Sequence, residues 1–113
     1  AAVERAGLDI RLLRVIAPEP EDLRRQAGRL QGLLQADLRE LVSLAERQDL
    51  AAMPSAAHRI LSHARFIGAT QLAALADEVE RGARAASPDT LDLVAALAME
   101  VERVGRELAV LAQ

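Results

Sequence analysis

Leu23-Arg24-Arg25-Gln26-Ala27-Gly28-Arg29-Leu30-Gln31-Gly32-Leu33-Leu34-Gln35-Ala36-Asp37-Leu38-Arg39-Glu40-Leu41-Val42-Ser43-Leu44-Ala45 returns to an apolar residue every three or four positions. Leu23, Ala27, Leu30, Leu34, Leu38, Leu41 and Ala45 therefore share one side of a helix of 3.6 residues per turn. Arg24, Arg25, Arg29, Asp37, Arg39 and Glu40 fall largely off that side. A strand alternates its faces every residue and could not bury this set together. The stripe lasts about seven turns, which predicts one long helix from about Glu19 to Gln48.

The same period continues on both sides. Downstream, Asp49 is a candidate cap for a second helix, with Pro54 forcing either a kink or a start at the proline after a looser turn. That helix carries Ala57, Ile60, Ala64 and Ile67 on its apolar side and ends near Gly68, a residue suited to a helix stop. Thr70 is expected to cap a third helix with the stripe Leu72, Leu75, Ala76, Val79 and Ala83. Its charged face, Asp77, Glu78 and Glu80 to Arg84, is expected to be solvated. Ser87-Pro88-Asp89 predicts the start of a last helix, with a capping serine and proline at the first helical position. Leu91, Val94, Leu97, Ala98, Val101, Val104, Leu108 and Leu111 supply its stripe.

Upstream, residues 1–18 read as a lead-in with one short apolar helix. Leu8, Ile10, Leu12, Leu13, Val15 and Ile16 are available to cover one end of the domain, and Pro18 and Pro20 end that helix. No two-residue alternation occurs anywhere. The expected fold is all-α: an antiparallel up-and-down four-helix bundle over residues 19–113 with a short extra N-terminal helix.

Composition agrees and removes several function classes. A chain of 113 residues with 51% hydrophobic and 27% charged residues can bury a core without metal or disulfide support. Phe66 is the only aromatic residue, so the core is built from Leu, Ala, Val and Ile. The absence of cysteine excludes disulfides, thiolate metal sites and cysteine nucleophiles. A net charge of -3, with arginine and no lysine as the cation, argues against nucleic-acid partners. No apolar run reaches the roughly 20 residues that span a bilayer, and no signal peptide is evident, so no direct membrane contact is expected. Because it begins at Ala1 rather than Met, the chain is expected to be a segment of a larger protein.

His58 is the residue on which a function can be built. Two positions separate it from Ile60, about 200° around the helix axis, so its ring is expected to point away from the core. Ser62 lies about 40° from it and Arg65 nearly in line but roughly 10 Å along the axis; Leu61 lies about 60° to the other side and reads equally as an exposed docking contact or as a residue packed against the neighbouring helix. Arg59, about 100° round, is the weaker of the two arginines for contact with a bound group. His63 falls at the edge of the apolar stripe and reads as a half-buried contact residue. His58 and His63 are not at the i, i+4 spacing of a helical metal pair, and no third ligand accompanies them, so no metal site is expected.

A lone surface histidine usually does nothing; its flanks decide the matter. Ala57-His58-Arg59-Ile60, Ala64-Arg65-Phe66-Ile67-Gly68-Ala69 and the following Leu72-Ala73-Ala74-Leu75-Ala76-Asp77-Glu78-Val79-Glu80 resemble the signature of histidine-containing phosphotransfer (HPt) domains. Leu38-Arg39-Glu40-Leu41 and Asp49-Leu50-Ala51-Ala52 resemble the helix and turn before that histidine. The resemblance runs from about Leu8 to the C-terminus and is nearest to the C-terminal domains of bacterial hybrid sensor histidine kinases. Two departures from the pattern matter: Leu61 stands where the family has lysine, and Ser62 where it has glycine.

The resemblance implies a phosphorelay carrier in two-component signal transduction. His58 would accept a phosphoryl group from a receiver-domain aspartate and pass it to an aspartate of a response regulator. It implies receiver domains as partners, a monomeric carrier and no cofactor in this domain, Mg²⁺ being held by the receiver. It also implies no ATP-binding kinase activity of the domain's own, and a cytoplasmic place at the end of a larger, membrane-anchored sensor kinase. Arg65, Ser62, Leu61 and Arg59 are the candidates for phosphate or receiver contact. Without the lysine, transfer is expected to be slowed rather than abolished. The alternative from another class is a non-catalytic docking or dimerisation module that keeps the bundle. An unrelated bundle carrying the motif by chance is more distant, since fold alone does not set function. A buried His58 ring would exclude the carrier reading.

Overall fold

The seven-turn stripe of the sequence becomes a 27-residue helix, Pro20–Glu46, in a computed structural model that describes residues 8–113. In chain order the helices are α1 (Arg11–Ile16), α2 (Pro20–Glu46), α3 (Met53–Phe66), α4 (Thr70–Arg84) and α5 (Thr90–Leu111), and no strand occurs among the described residues. Each long helix packs on two others: α2 on α3 and α5, and α4 on α3 and α5. One core results. Leu34, Leu41, Ile60, Leu72, Val101 and Leu108, from all four long helices, are buried within it. Fully burying one such side chain contributes about 1.5–3 kcal/mol before entropy is counted.

Three helix ends share one backbone device. Gln48, Gly68 and Ala86 adopt left-handed conformations with φ of 56°, 65° and 51°. In each case the next residue's N–H returns to the carbonyl five residues back: Asp49 to Leu44, Ala69 to Ala64 and Ser87 to Gly82, all at 2.9 Å. This closes the orphan carbonyls of α2, α3 and α4. Only the stop at Gly68 uses the residue that takes positive φ without strain.

The helix starts differ from expectation. The looser turn before Pro54 is present: α3 begins at Met53 with Pro54 in its first turn. Asp49 closes that turn, its Oδ1 accepting the Ala52 N–H at 3.3 Å, and does not cap the helix itself. Thr70 is the first residue of α4 and makes no side-chain cap. α5 starts at Thr90 rather than at Pro88. Ser87 closes a turn instead: its Oγ accepts the Asp89 N–H at 3.4 Å, and its carbonyl accepts from the Thr90 N–H and hydroxyl at 3.2 and 2.8 Å.

Residues 1–7 of the expected lead-in lie outside the described residues. In the remainder, Leu8, Ile10 and Leu13 are buried in the common core, whereas Leu12, Val15 and Ile16 face outward. A single short helix can turn only one side to the bundle. Asp9 seats this segment: its N–H donates to the Ile67 carbonyl at 2.9 Å, directly over the α3–α4 turn.

Candidate functional site

His58 projects from the middle of α3, where Ala57, Ile60 and Ala64 are fully buried on the opposite side. Its side chain is 56% exposed, as the helical spacing required. The ring does not hang free. Nδ1 lies 3.0 Å from Oε1 of Glu80, on α4. An ionised carboxylate only accepts, so Nδ1 carries the hydrogen, and the neutral form of the ring has its lone pair on Nε2. Glu80 is held in turn, because Nη2 of Arg84 donates to its other oxygen, Oε2, at 2.7 Å. With only 13% of its side chain exposed, Glu80 forms a partly shielded carboxylate between a histidine and an arginine.

The Arg84 hydrogen bond keeps the Glu80 carboxyl below its ordinary value of 4.5; burial opposes this, and the His58 hydrogen bond adds to it. The folded protein thus holds this carboxylate ionised more firmly than the unfolded chain does. The stability it contributes is fully present above pH 4.5 and is lost as pH falls through the lower folded value. The gap in unfolding free energy between wild type and Glu80→Gln is therefore expected to close as pH is lowered below that point. A gap that stays constant on titration would mean that the charge of Glu80 is immaterial.

His58, Glu80 and Arg84 share a cleft of about 380 Å³ with Pro54, Ser55 and Arg59. The other candidates divide. Arg59 reaches the cleft, but its Nε donates to Asp37 at 3.2 Å and its Nη2 to Glu40, both on α2. Ser62 and Arg65 are exposed on α3 and do not line the cleft. His63 is half-buried against α2, with Nε2 3.5 Å from Asp37 Oδ2.

Leu61 needs correction. It is 3% exposed and belongs to the core, not to an outward contact surface. The helical wheel placed it 60° from an exposed residue, yet α3 is flanked by both α2 and α4, so its buried arc is wider than one stripe. Leu61→Lys, which would restore the family's charge on paper, is expected instead to destabilise the fold by about 1–3 kcal/mol, as its stem is forced to carry the ammonium out to water. Chemical denaturation checks this. An unchanged midpoint would show that position 61 tolerates a surface residue.

Glu80 and Arg84 are the site residues that sequence reasoning missed, having assigned both to a solvated face. One signal was available. His58 and Glu80 lie equally far in sequence from Ala69, in the turn between α3 and α4, and so return to the same level of the two helices. Among the described residues, no group of three His, Cys, Asp or Glu side chains is placed to hold a metal ion. No described helix is long and apolar enough to cross a membrane.

Comparison with known proteins bears on this geometry. A family model described as "Hpt domain" matches residues 21–107, from the first turn of α2 to the last turns of α5. No curated protein and no solved structure matches the chain.

Proposed function

The chain belongs to the Hpt domain family, whose members carry phosphoryl groups in two-component phosphorelays, and on that premise we propose that His58 is the phosphoryl acceptor. The observation that carries the reading is the exposed imidazole whose Nδ1 is engaged by Glu80, leaving Nε2 as the nucleophile.

The step balances without proton loss from the ring. The Nε2 lone pair attacks the phosphorus of a receiver's aspartyl phosphate. The N–P bond forms, the P–O bond breaks, and its electron pair leaves on the receiver's carboxylate. The phosphorylated ring keeps its Nδ1 hydrogen and gains positive charge, which the Glu80 carboxylate faces directly. Return to a response-regulator aspartate reverses these events. The contribution of this chain is positioning and charge compensation, as in phosphoryl transfer generally. The receiver would hold the Mg²⁺ that neutralises the transferring group.

Antiparallel up-and-down running of the four long helices is part of the same proposal. The pairing of His58 with Glu80, and of Arg59 with Asp37 and Glu40, supports it. A cytoplasmic place within a larger hybrid sensor kinase is the context the family suggests.

The test is incubation of the chain with a phosphorylated receiver, followed by assay for acid-labile label. Label on wild type and none on His58→Gln is expected. Equal label on both would overturn the assignment. Receiver binding without any label on wild type would leave the docking module as the better reading.

A further inference from the structure

With Leu61 in the core, position 61 presents no positive charge of the kind that the family's motif places beside its histidine. Two arginines line the His58 cleft, and they are not equivalent. Arg59 is held by two carboxylates of α2, through both Nε and Nη2. Arg84 spends one N–H on Glu80, the carboxylate that also holds His58, and its side chain is otherwise well exposed at the cleft rim. A guanidinium has five N–H donors, so one bond to Glu80 leaves others to turn towards the cleft.

We infer that Arg84, from α4, supplies the positive charge that faces a phosphoryl group on Nε2 of His58, replacing the charge that Leu61 lacks. This rests on the carrier reading above. Phosphorylation places a dianion on the ring next to an arginine already anchored on Glu80. Arg84 can then keep its Glu80 bond and also donate to phosphoryl oxygens, a charge-assisted contact of the kind arginine suits. The cation thus comes from the neighbouring helix rather than from the next turn of α3.

Phosphoramidate tests this without requiring the natural receiver. The His58 Nε2 attacks its phosphorus, the new N–P bond forms, and ammonia leaves with the old one. Labelling of the full chain is followed by ³¹P NMR for wild type, Arg84→Gln, Arg84→Lys, Glu80→Gln and the Glu80→Gln/Arg84→Gln pair. Arg84→Gln is expected to label about fivefold or more slowly, with Arg84→Lys recovering most of the rate. The same loss should persist in the Glu80→Gln background, because the charge acts on the phosphoryl group and not only by holding Glu80. Rising salt should bring the wild-type rate towards that of Arg84→Gln.

An Arg84→Gln rate equal to wild type would overturn the role of Arg84 while leaving His58 as acceptor. So would failure of lysine to rescue, or disappearance of the effect in the Glu80→Gln background. Wild type labelling no better than His58→Gln would overturn the carrier reading, and this inference with it.

Discussion

Replacing His58 by glutamine is expected to remove phosphoryl labelling down to background while leaving the fold intact. The two outcomes separate because the side chain is 56% exposed, with its packed neighbours on the opposite side of α3. Surface substitutions of this kind change stability by no more than about 0.5 kcal/mol. Glutamine also keeps an N–H able to donate to Glu80, so the carboxylate is not left without its partner across α3 and α4. What it lacks is a nucleophilic ring nitrogen. Wild type should take up one phosphoryl group per chain, released by acid, and the variant none, with superimposable thermal melts. Full label on the variant would place the acceptor elsewhere. His63 is the only other histidine, and it is turned towards Asp37.

Gly68→Ala is expected to be the most damaging small substitution in the α3–α4 turn. At φ 65° the backbone is left-handed, which costs a residue with a Cβ about 1–2 kcal/mol. Space adds to the penalty: a Cβ at Gly68 would stand 2.5 Å from the Asp9 Cβ and 2.7 Å from its backbone nitrogen. The obstruction is backbone, held by the bond from the Asp9 N–H to Ile67, and cannot rotate away. A total loss of about 2–4 kcal/mol follows, lowering the melting temperature by roughly 10 °C or more. Removing residues 1–10 takes away the obstruction, so Gly68→Ala in that shortened chain should cost only about 1–2 kcal/mol. An equal cost in both backgrounds would show that the lead-in does not bear on the turn. Trypsin provides a second check, since a displaced lead-in should be cut faster at Arg11 and Arg14.

Much of the helical framework was legible from periodicity, because a stripe such as Leu23 to Ala45 depends only on 3.6 residues per turn. Helix stops were legible only where chemistry marks them. Gly68 announces a left-handed residue, whereas Gln48 and Ala86 do the same work with no signal in their composition. Ser87-Pro88-Asp89 looked like a helix start and became a turn, closed by the Asp89 N–H on Ser87 Oγ and by Thr90 on the Ser87 carbonyl. The outward His58 was legible from its own helix; Glu80 was not, because its partner belongs to another helix.

The sequence by itself determined that the described residues form helices and no strand, most of the residues that build each stripe, and that His58 turns outward; Leu91, read into the last stripe, is instead 52% exposed. These depend on local period and on side chains of one helix. Only the tertiary structure decided that Leu61 is interior, that Arg59 is bound to α2, and that Glu80 and Arg84 join His58 in one cleft. Those depend on which helices flank α3 and at what level they meet it, which no single helical wheel contains. The charge beside the histidine is accordingly a property of the packing of α3 against α4, and not of the motif on α3.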